Sequence, residues 1–208
     1  MNPVKQALML FKANWKESLY LGAAATVYIF FSQFIPFVGA LLISFGLLIF
    51  QELTNVRLKT GKWKMDLTHF QHDWISLIIT AVILMPTGIL LGSAFGLLQD
   101  PQDHWRSLPT SLALFILGIY FFMILSHGFN VQQESQQGIA RALDVSALAS
   151  VKNMKLYVVA SFYLSVGLMI GGLLRGVGFV LVLPVMFYTT YYVFSEMKTR
   201  NAFTRKAP

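Results

Sequence analysis

The fold of this chain is decided by residues 18–51, SLYLGAAATVYIFFSQFIPFVGALLISFGLLIFQ, which contain no Asp, Glu, Lys or Arg over 34 positions. As one α-helix this stretch would extend for about 51 Å, whereas the hydrocarbon core of a membrane is about 30 Å thick. Proline disfavours helical geometry at the preceding residue and lacks a backbone donor. We therefore predict two short spans, 18–34 and 37–55, with a turn near Gln33–Pro36 and a kink at Pro36.

Other uncharged stretches have the length of one crossing each. They predict four further spans, at 75–98, 109–131, 156–174 and 176–195. The expected fold is thus all-α: a polytopic integral membrane protein with six transmembrane helices in three hairpins, forming a single domain over residues 1–208. A re-entrant hairpin in place of the first two spans is the alternative.

The composition agrees with a membrane protein. The chain is 56% hydrophobic and 12% charged, whereas a soluble domain carries about 25% charged residues. It has no cysteine, which excludes disulfides, thiolate nucleophiles and cysteine metal sites. Lys5, Lys12 and Lys16 interrupt the first helix-like stretch, so we expect an uncleaved insertion signal rather than a cleavable signal peptide.

The positions of the 16 Lys and Arg residues predict the orientation. With six crossings and the N-terminus inside, only Arg106 and Arg175 fall outside, and the positive-inside rule favours this arrangement with both termini in the cytoplasm. The basic residues on the inner side are Lys5, Lys12, Lys16, Arg57, Lys59, Lys62, Lys64, Arg141, Lys152, Lys155, Lys198, Arg200, Arg205 and Lys206.

The predicted partners follow from the same charges. The net charge is +7, but the basic residues border apolar spans, where they meet anionic lipid headgroups. We therefore expect membrane lipids, anionic ones above all, and no nucleic acid; a protein partner or a homo-oligomer is also possible. The residues predicted to contact headgroups are Lys5, Lys12, Lys16, Arg57, Lys59, Lys62 and Lys64.

Amphipathic segments are predicted on the inner side at 3–16, 66–74 and 134–155. In the first segment, Val4, Leu8, Phe11 and Trp15 share one helix face, and in the third segment the corresponding face carries Ile139, Ala142, Val145 and Leu148. The three segments contain similar short sequences: Phe11-Lys-Ala-Asn-Trp15, Phe70-Gln-His-Asp-Trp74 and, in outline, Val151-Lys-Asn-Met154. They indicate either a threefold repeat of a helix-plus-hairpin unit or the general similarity of short interfacial helices.

Small residues four positions apart predict close helix packing, either within the chain or between copies of it. Prolines inside predicted spans are expected to kink them. The predicted packing residues are Gly88, Gly92 and Gly96 in the third span and Gly167 and Gly171 in the fifth, and the predicted kinks are at Pro86 and Pro184 in addition to Pro36.

The sequence offers little chemistry inside the membrane. His127, near Ser126 and Asn130, lies toward the inner end of span four, and Glu52 lies at the inner end of span two. Neither residue is expected near the middle of the bilayer, which argues against a proton relay or ion-coupled pump. His127 is interpreted as an interfacial polar residue.

Two polar groups outside the spans could carry chemistry. Asp66, His69 and Asp73 share a helix face, with His72 one turn from His69, and could bind a divalent ion or form a solvated face. Asp100, Asp103, His104 and Arg106 lie in a predicted outer loop, Gln99–Pro109, and could act on a headgroup or simply form a polar loop. No GxSxG or P-loop pattern is present, and we predict no catalytic, cofactor or metal residues.

Several segments resemble a known group of families. They are Ala142-Leu-Asp-Val-Ser146 with Val151-Lys-Asn, Gly176-Val-Gly-Phe-Val-Leu-Val-Leu-Pro184, Phe11-Lys-Ala-Asn-Trp15 and Ile35-Pro-Phe-Val-Gly39. In these segments the chain resembles uncharacterised bacterial six-helix inner-membrane families that are grouped with the membrane domain of glycerophosphodiester phosphodiesterases. The resemblance implies a location in the bacterial inner membrane and no established activity. The catalytic domain of those phosphodiesterases has no counterpart here, so enzymatic function is not implied.

Together these features predict a non-enzymatic inner-membrane protein that acts through lipid or protein contacts, in assembly, scaffolding or membrane organisation. The alternative is a small transporter or channel for an apolar or amphipathic solute, suggested by the possible repeat and the prolines within spans.

Overall fold

The computed structural model describes residues 2–33, 38–63, 67–99, 104–135, 138–174, 177–200 and 202–203. Within these residues all regular structure is helical and no strand is present. The eight helices are α1 (Pro3–Ala13), α2 (Trp15–Gln33), α3 (Gly39–Thr60), α4 (Leu67–Gln99), α5 (His104–Ser135), α6 (Ile139–Lys152), α7 (Met154–Leu173) and α8 (Phe179–Thr199).

Helices long and apolar enough to cross a membrane dominate the chain, as expected of a multi-pass membrane protein. Among the residues just given, five segments meet this criterion: Gly39–Thr60, Ile78–Leu98, Ser107–Ser135, Met154–Leu173 and Phe179–Thr199. Helix α2 is not one of the five. It begins with Trp15, Lys16 and Glu17 and ends with Ser32 and Gln33, and these residues lower its mean hydropathy.

The long uncharged stretch is divided into two helices, as the length argument predicts. Helix α2 ends at Gln33 and α3 begins at Gly39, and the predicted kink at Pro36 lies outside the described residues. The two helices pack against each other: the Tyr28 hydroxyl donates to the carbonyl oxygen of Leu42 at 2.9 Å. Helix α3 ends where Gly61 adopts a left-handed conformation, φ 74°, and donates its N–H to the carbonyl of Arg57.

Six long helices form a closed ring in the order α2, α3, α4, α5, α7 and α8, because each packs against the next and α8 packs against α2. The α2–α8 contact includes a buried hydrogen bond of 2.9 Å between the hydroxyls of Ser18 and Tyr188. Helix α6 packs on α5, where Ser146 Oγ donates to the carbonyl of Ile124 at 2.6 Å, and α1 packs on α8.

The interior of the ring is filled by apolar side chains. Phe115, Ile119 and Phe122 of α5, Leu84 of α4 and Phe187 of α8 are fully buried in one continuous hydrophobic core. A cavity of about 30 Å³ is lined by residues of α2, α3, α4, α7 and α8.

The short helices bury only part of the apolar faces that their sequences carry. Helix α1 buries Pro3 and Ala7, whereas Leu8 and Trp15, predicted for the apolar face, are about half exposed. Helix α6 buries Ala142, Val145 and Ala149 but exposes Leu148. Periodicity cannot separate a face that contacts protein from a face that contacts lipid, since both are apolar.

Helix α4 begins within the second predicted amphipathic segment, and α5 begins within the predicted outer loop. Helix α4 begins at Leu67 and continues without interruption into the third span, so residues 67–74 extend that helix. Helix α5 begins at His104 and contains Pro109, which shortens the predicted Gln99–Pro109 loop. A proline near the start of a helix removes one backbone hydrogen bond without ending the helix.

Candidate functional site

Polar side chains meet inside the ring at one end of α3 and α5. We define the polar cluster as Gln51, Asn55, Glu52 and Asn130, all at least 93% buried. The Asn55 Nδ2 group donates to Asn130 Oδ1 at 3.0 Å and to Glu52 Oε2 at 3.2 Å, and Gln51 Nε2 donates to Asn55 Oδ1 at 3.0 Å. Gln51 also donates to the main-chain carbonyl of Phe187 at 3.2 Å, so the cluster connects α3, α5 and α8.

His127 lies one helical turn before Asn130 on α5 and is fully buried. Its Nε2 lies 3.0 Å from the carbonyl oxygen of Thr190, and its Nδ1 lies 2.6 Å from the hydroxyl of Tyr157. A carbonyl oxygen can only accept, so Nε2 carries the proton, and in a neutral ring Nδ1 then accepts from the Tyr157 hydroxyl. His127 therefore joins α5 to both α7 and α8.

The arrangement of the polar cluster and His127 favours a structural role. A buried polar group without a hydrogen-bond partner costs about 1–3 kcal/mol, so these paired side chains specify how four helices fit together. Gln51 Oε1 is buried without a partner among the described atoms. In the part of the chain that the structure describes, no group of three or more His, Cys, Asp or Glu residues is placed to hold a metal ion.

Sequence reasoning found only part of this cluster. It singled out His127, Asn130 and Glu52 but treated them as separate interfacial residues, and it did not identify Gln51 or Asn55. Gln51 and Asn55, two amides four residues apart in the second half of α3, were the available signal, because they share one helix face.

Charged residues gather at the ends of α2, α3, α5 and α8, which we call the charged end. Glu17 Oε2 accepts from Arg57 Nη2 at 2.8 Å and from the Trp63 indole N–H at 2.9 Å. The Trp63 hydrogen bond, followed by the Arg57 guanidinium, holds the pKa of Glu17 below its usual value of 4.5. This cluster joins the start of α2 to the end of α3.

A second ion-pair group at the charged end is centred on Glu134. Its carboxylate contacts Lys198 Nζ at 2.7 Å and Lys59 Nζ at 3.3 Å. Arg200 is paired with Glu196 one helical turn earlier. Each carboxylate of Glu17, Glu134 and Glu196 is therefore occupied by a cation of the same chain.

The residues predicted to contact headgroups divide into two groups. Arg57 and Lys59 have carboxylate partners within the chain. The side chains of Lys5, Lys12, Lys16 and Lys62 are exposed, and none has a carboxylate within 4.0 Å in the described part of the chain. Lys64 lies outside the described residues.

An open groove of about 560 Å³ lies beside the charged end. It is formed by the start of α1, the junction of α6 and α7, and the end of α8. Basic side chains line one part of it and apolar side chains of α7 line another. The residues that line the groove are Asn2, Pro3, Lys152, Asn153, Lys155, Leu156, Val159, Ala160, Glu196 and Arg200.

The predicted packing glycines fall into different surroundings. A Cβ at Gly88 would lie 2.8 Å from the carbonyl oxygen of Ala40, and a Cβ at Gly171 would lie 2.8 Å from the Phe179 ring. Gly167 faces Val182 of α8, with 3.2 Å to the nearest atom. By contrast, positions Gly92 and Gly96 would have no described heavy atom within 4 Å. Pro86 and Pro184 lie inside α4 and α8.

The remaining candidates of the sequence cannot be placed. Asp66, Asp100 and Asp103 lie outside the described residues, and the side chains of His69, His72, Asp73, His104 and Arg106 are not described either. The two predicted polar groups, one for a divalent ion and one for a lipid headgroup, therefore stay predictions.

No protein-family model matches this chain, and no curated protein or solved structure is significantly similar to it. The resemblance to bacterial six-helix families therefore rests on the sequence segments quoted for it.

Proposed function

We propose that this chain is a non-enzymatic protein of the bacterial inner membrane that acts through contacts with anionic lipids or with proteins, in assembly, scaffolding or membrane organisation. One observation carries the proposal. At and around the charged end the carboxylates of Glu17, Glu134 and Glu196 are paired, whereas six exposed lysines have no carboxylate within 4.0 Å among the described residues. These lysines are Lys5, Lys12, Lys16, Lys62, Lys152 and Lys155.

Such an excess of unpaired cations favours an anionic partner. Each Lys or Arg near a membrane surface contributes about 1 kcal/mol of attraction to anionic lipids. Lysine side chains next to apolar spans can extend to the headgroups while their stems cover apolar surface. The anionic headgroups of the surrounding lipids are therefore the nearest partners for these lysines.

The proposal includes six crossings in three hairpins, with α2 as the first. Its exposed side chains include Tyr20 at 79%, Phe31 at 64% and Val27 at 54% exposure. A surface of this kind is unfavourable in water and favourable in hydrocarbon. Helix α2 also completes a ring whose other five members are long and apolar enough to cross a membrane, which supports a sixth crossing.

Cysteine labelling tests this topology, since the natural chain has no cysteine. With the charged end in the cytoplasm, Val38→Cys and Val177→Cys should react with a membrane-impermeant maleimide in intact spheroplasts. Lys62→Cys should react only after permeabilisation. Labelling of Lys62→Cys in intact spheroplasts contradicts the orientation, and protection of Val38→Cys under both conditions favours the re-entrant hairpin.

Lipid preference tests the proposed function. Purified protein in a neutral detergent is titrated with phosphatidylglycerol or with phosphatidylcholine, and thermal unfolding is followed. At 100 times its Kd a ligand stabilises by about 2.7 kcal/mol, which corresponds to a rise in Tm of about 5–10 °C for a chain of this size. We expect this rise with phosphatidylglycerol and a much smaller one with phosphatidylcholine.

Salt provides the control for an electrostatic origin. At 1 M salt the Debye length falls to about 3 Å, so the excess stabilisation by phosphatidylglycerol should largely disappear. Equal stabilisation by the two lipids at low salt would overturn the lipid part of the proposal.

A further inference from the structure

The groove beside the charged end combines the two kinds of surface that a phospholipid presents. Its volume of about 560 Å³ lies within the range of small-molecule sites, about 300–1,000 Å³. It is open rather than enclosed, so a ligand could reach it from outside the protein. Its walls come from four helices, α1, α6, α7 and α8.

The polar part of the groove is positive. Lys152, Lys155 and Arg200 supply three cations and Glu196 supplies one carboxylate. Arg200 is already shared between Glu196 and Asn153, whose Oδ1 lies 3.5 Å from Arg200 Nη1. Lys152 and Lys155 have no carboxylate partner within the described residues, so the groove has an unbalanced charge suited to a phosphate.

The apolar part of the groove continues along α7. Leu156, Val159 and Ala160 line it and belong to the helix Met154–Leu173, which is long and apolar enough to cross a membrane. The groove thus passes from charged residues, which favour headgroup depth, toward residues that favour hydrocarbon depth. A free anion would use only the first part, whereas a phospholipid would use both.

Building on the proposed function, we propose that this groove is a specific site for one anionic phospholipid. Its phosphate lies among Lys152, Lys155 and Arg200, and one acyl chain lies along Leu156, Val159 and Ala160. The occupant is a lipid from the surrounding bilayer rather than free phosphate, because the basic residues adjoin an apolar wall at the start of a candidate span.

The first experiment compares charge variants of equal net charge by native mass spectrometry with phosphatidylglycerol. Lys152→Gln/Lys155→Gln removes two groove cations, and Lys12→Gln/Lys16→Gln removes two exposed lysines that do not line the groove. We expect the affinity for the first bound lipid to fall about 10- to 30-fold in the groove variant and less than about 3-fold in the control.

The second experiment tests the acyl-chain wall. Val158 and Val159 are each 38% exposed, but only Val159 lines the groove. Val159→Trp should block the wall and weaken binding of phosphatidylglycerol, while Val158→Trp should leave it within about 2-fold of the natural protein. Size-exclusion profiles and helical circular dichroism confirm that each variant is folded, and the charge variants test the site if Val159→Trp is not.

Competition with inorganic phosphate distinguishes a lipid site from a site for free phosphate. It should compete with phosphatidylglycerol only weakly, and Val159→Trp should leave its effect unchanged. If inorganic phosphate displaces the lipid efficiently, or if Val159→Trp binds the lipid normally, the site is one for free anions and the proposal is wrong.

The outcomes also separate this inference from the proposed function. If the natural protein prefers phosphatidylglycerol but the groove and control variants lose affinity equally, the lipid contact is diffuse and only the specific site is excluded. If the natural protein shows no preference for anionic lipid, both proposals fail.

Discussion

Gly22 of α2 lies directly against the main-chain carbonyl of Val180 in α8, so closely that a Cβ at position 22 would overlap the carbonyl oxygen. The same carbonyl lacks its usual helical partner, because the residue four positions later is Pro184, which has no N–H. The proline thus exposes a carbonyl at the α2–α8 contact, and the glycine lets the neighbouring helix cover it.

This contact predicts opposite effects of the same substitution at two glycines. Gly22→Ala places a methyl group against main-chain atoms and should lower the free energy of unfolding by about 1–3 kcal/mol. Gly96→Ala, with no described heavy atom within 4 Å, should leave it unchanged or raise it by up to about 1 kcal/mol through helix propensity. Unfolding in a mild detergent measures both, and equal effects would contradict the close contact.

A second prediction concerns Tyr157, whose hydroxyl lies 2.6 Å from His127 Nδ1. Tyr157→Phe removes only the hydroxyl and leaves the imidazole nitrogen buried without a donor. We expect a loss of about 1–3 kcal/mol in the free energy of unfolding. Tyr163→Phe on the same helix is the matched control because Tyr163 is 54% exposed, and it should have little effect.

The tautomer of His127 can be read directly. In protein labelled with ¹⁵N at histidine, Nε2 should give the signal of a protonated nitrogen and Nδ1 that of an unprotonated acceptor. The opposite assignment would show that Tyr157 accepts rather than donates.

A third prediction concerns pH and Glu17. Since the folded protein holds the pKa of Glu17 below 4.5, the ionised carboxylate stabilises the fold above that ordinary value. The contribution is lost as the pH falls through the lowered pKa. The natural protein should therefore exceed Glu17→Gln in stability at neutral pH, and the difference should shrink below about pH 4.5.

The difference in stability between the natural protein and Glu17→Gln reports on Glu17 alone, because the other groups that titrate in acid are common to both proteins. Its size should be modest, because the Glu17 side chain is 43% exposed and exposed ion pairs are screened by solvent. A difference that grew on acidification would contradict the lowered pKa.

A fourth prediction concerns the residues that end the two short helices. Asn14 has φ −121° and ψ 41°, and Asn153 has φ −120° and ψ 33°. Each bonds with both its N–H and its side-chain amide to a carbonyl four residues earlier, Leu10 for Asn14 and Ala149 for Asn153. Asn14→Ala and Asn153→Ala should each cost about 0.5–1.5 kcal/mol in unfolding free energy.

The controls for these asparagines are exposed residues on the same two helices, Lys12→Ala and Lys152→Ala, which make no such bonds to the backbone. If one asparagine substitution were neutral and the other costly, the two junctions would not be equivalent despite their matching geometry.

The shared junction bears on the repeat that the sequence suggests. The Lys-Ala-Asn-Trp15 and Lys-Asn-Met154 segments differ in spacing, yet both end a short helix at asparagine and start a long one at the next residue. Residues 67–74 instead continue directly into a long helix. The first and third predicted units therefore resemble each other more closely than either resembles the second.

Local length and polarity were enough to predict the helices and the break in residues 18–51. The division at Gln33 follows because a 34-residue helix exceeds the membrane and Pro36 disfavours its continuation. These arguments use only residues that are close together in the sequence. They therefore cannot predict which side chains of distant helices contact each other.

The contacts of the candidate sites depend instead on the register between distant helices. Arg57 has the sequence context of a headgroup ligand, but α2 and α3 pack so that Glu17, 40 positions earlier, reaches it. Gln51 reaches the carbonyl of Phe187, 136 positions later. The lining of the groove comes from four helices, so neither its charge nor its apolar wall is visible in any one segment.

The closed ring also has a consequence for synthesis. Ser18 and Tyr188 meet across 170 positions, so α2 is synthesised long before its partner α8 exists. At about 5–20 residues per second the ribosome needs roughly 10–30 s to make the intervening chain. During that interval the face of α2 around Gly22 has no α8 to pack against.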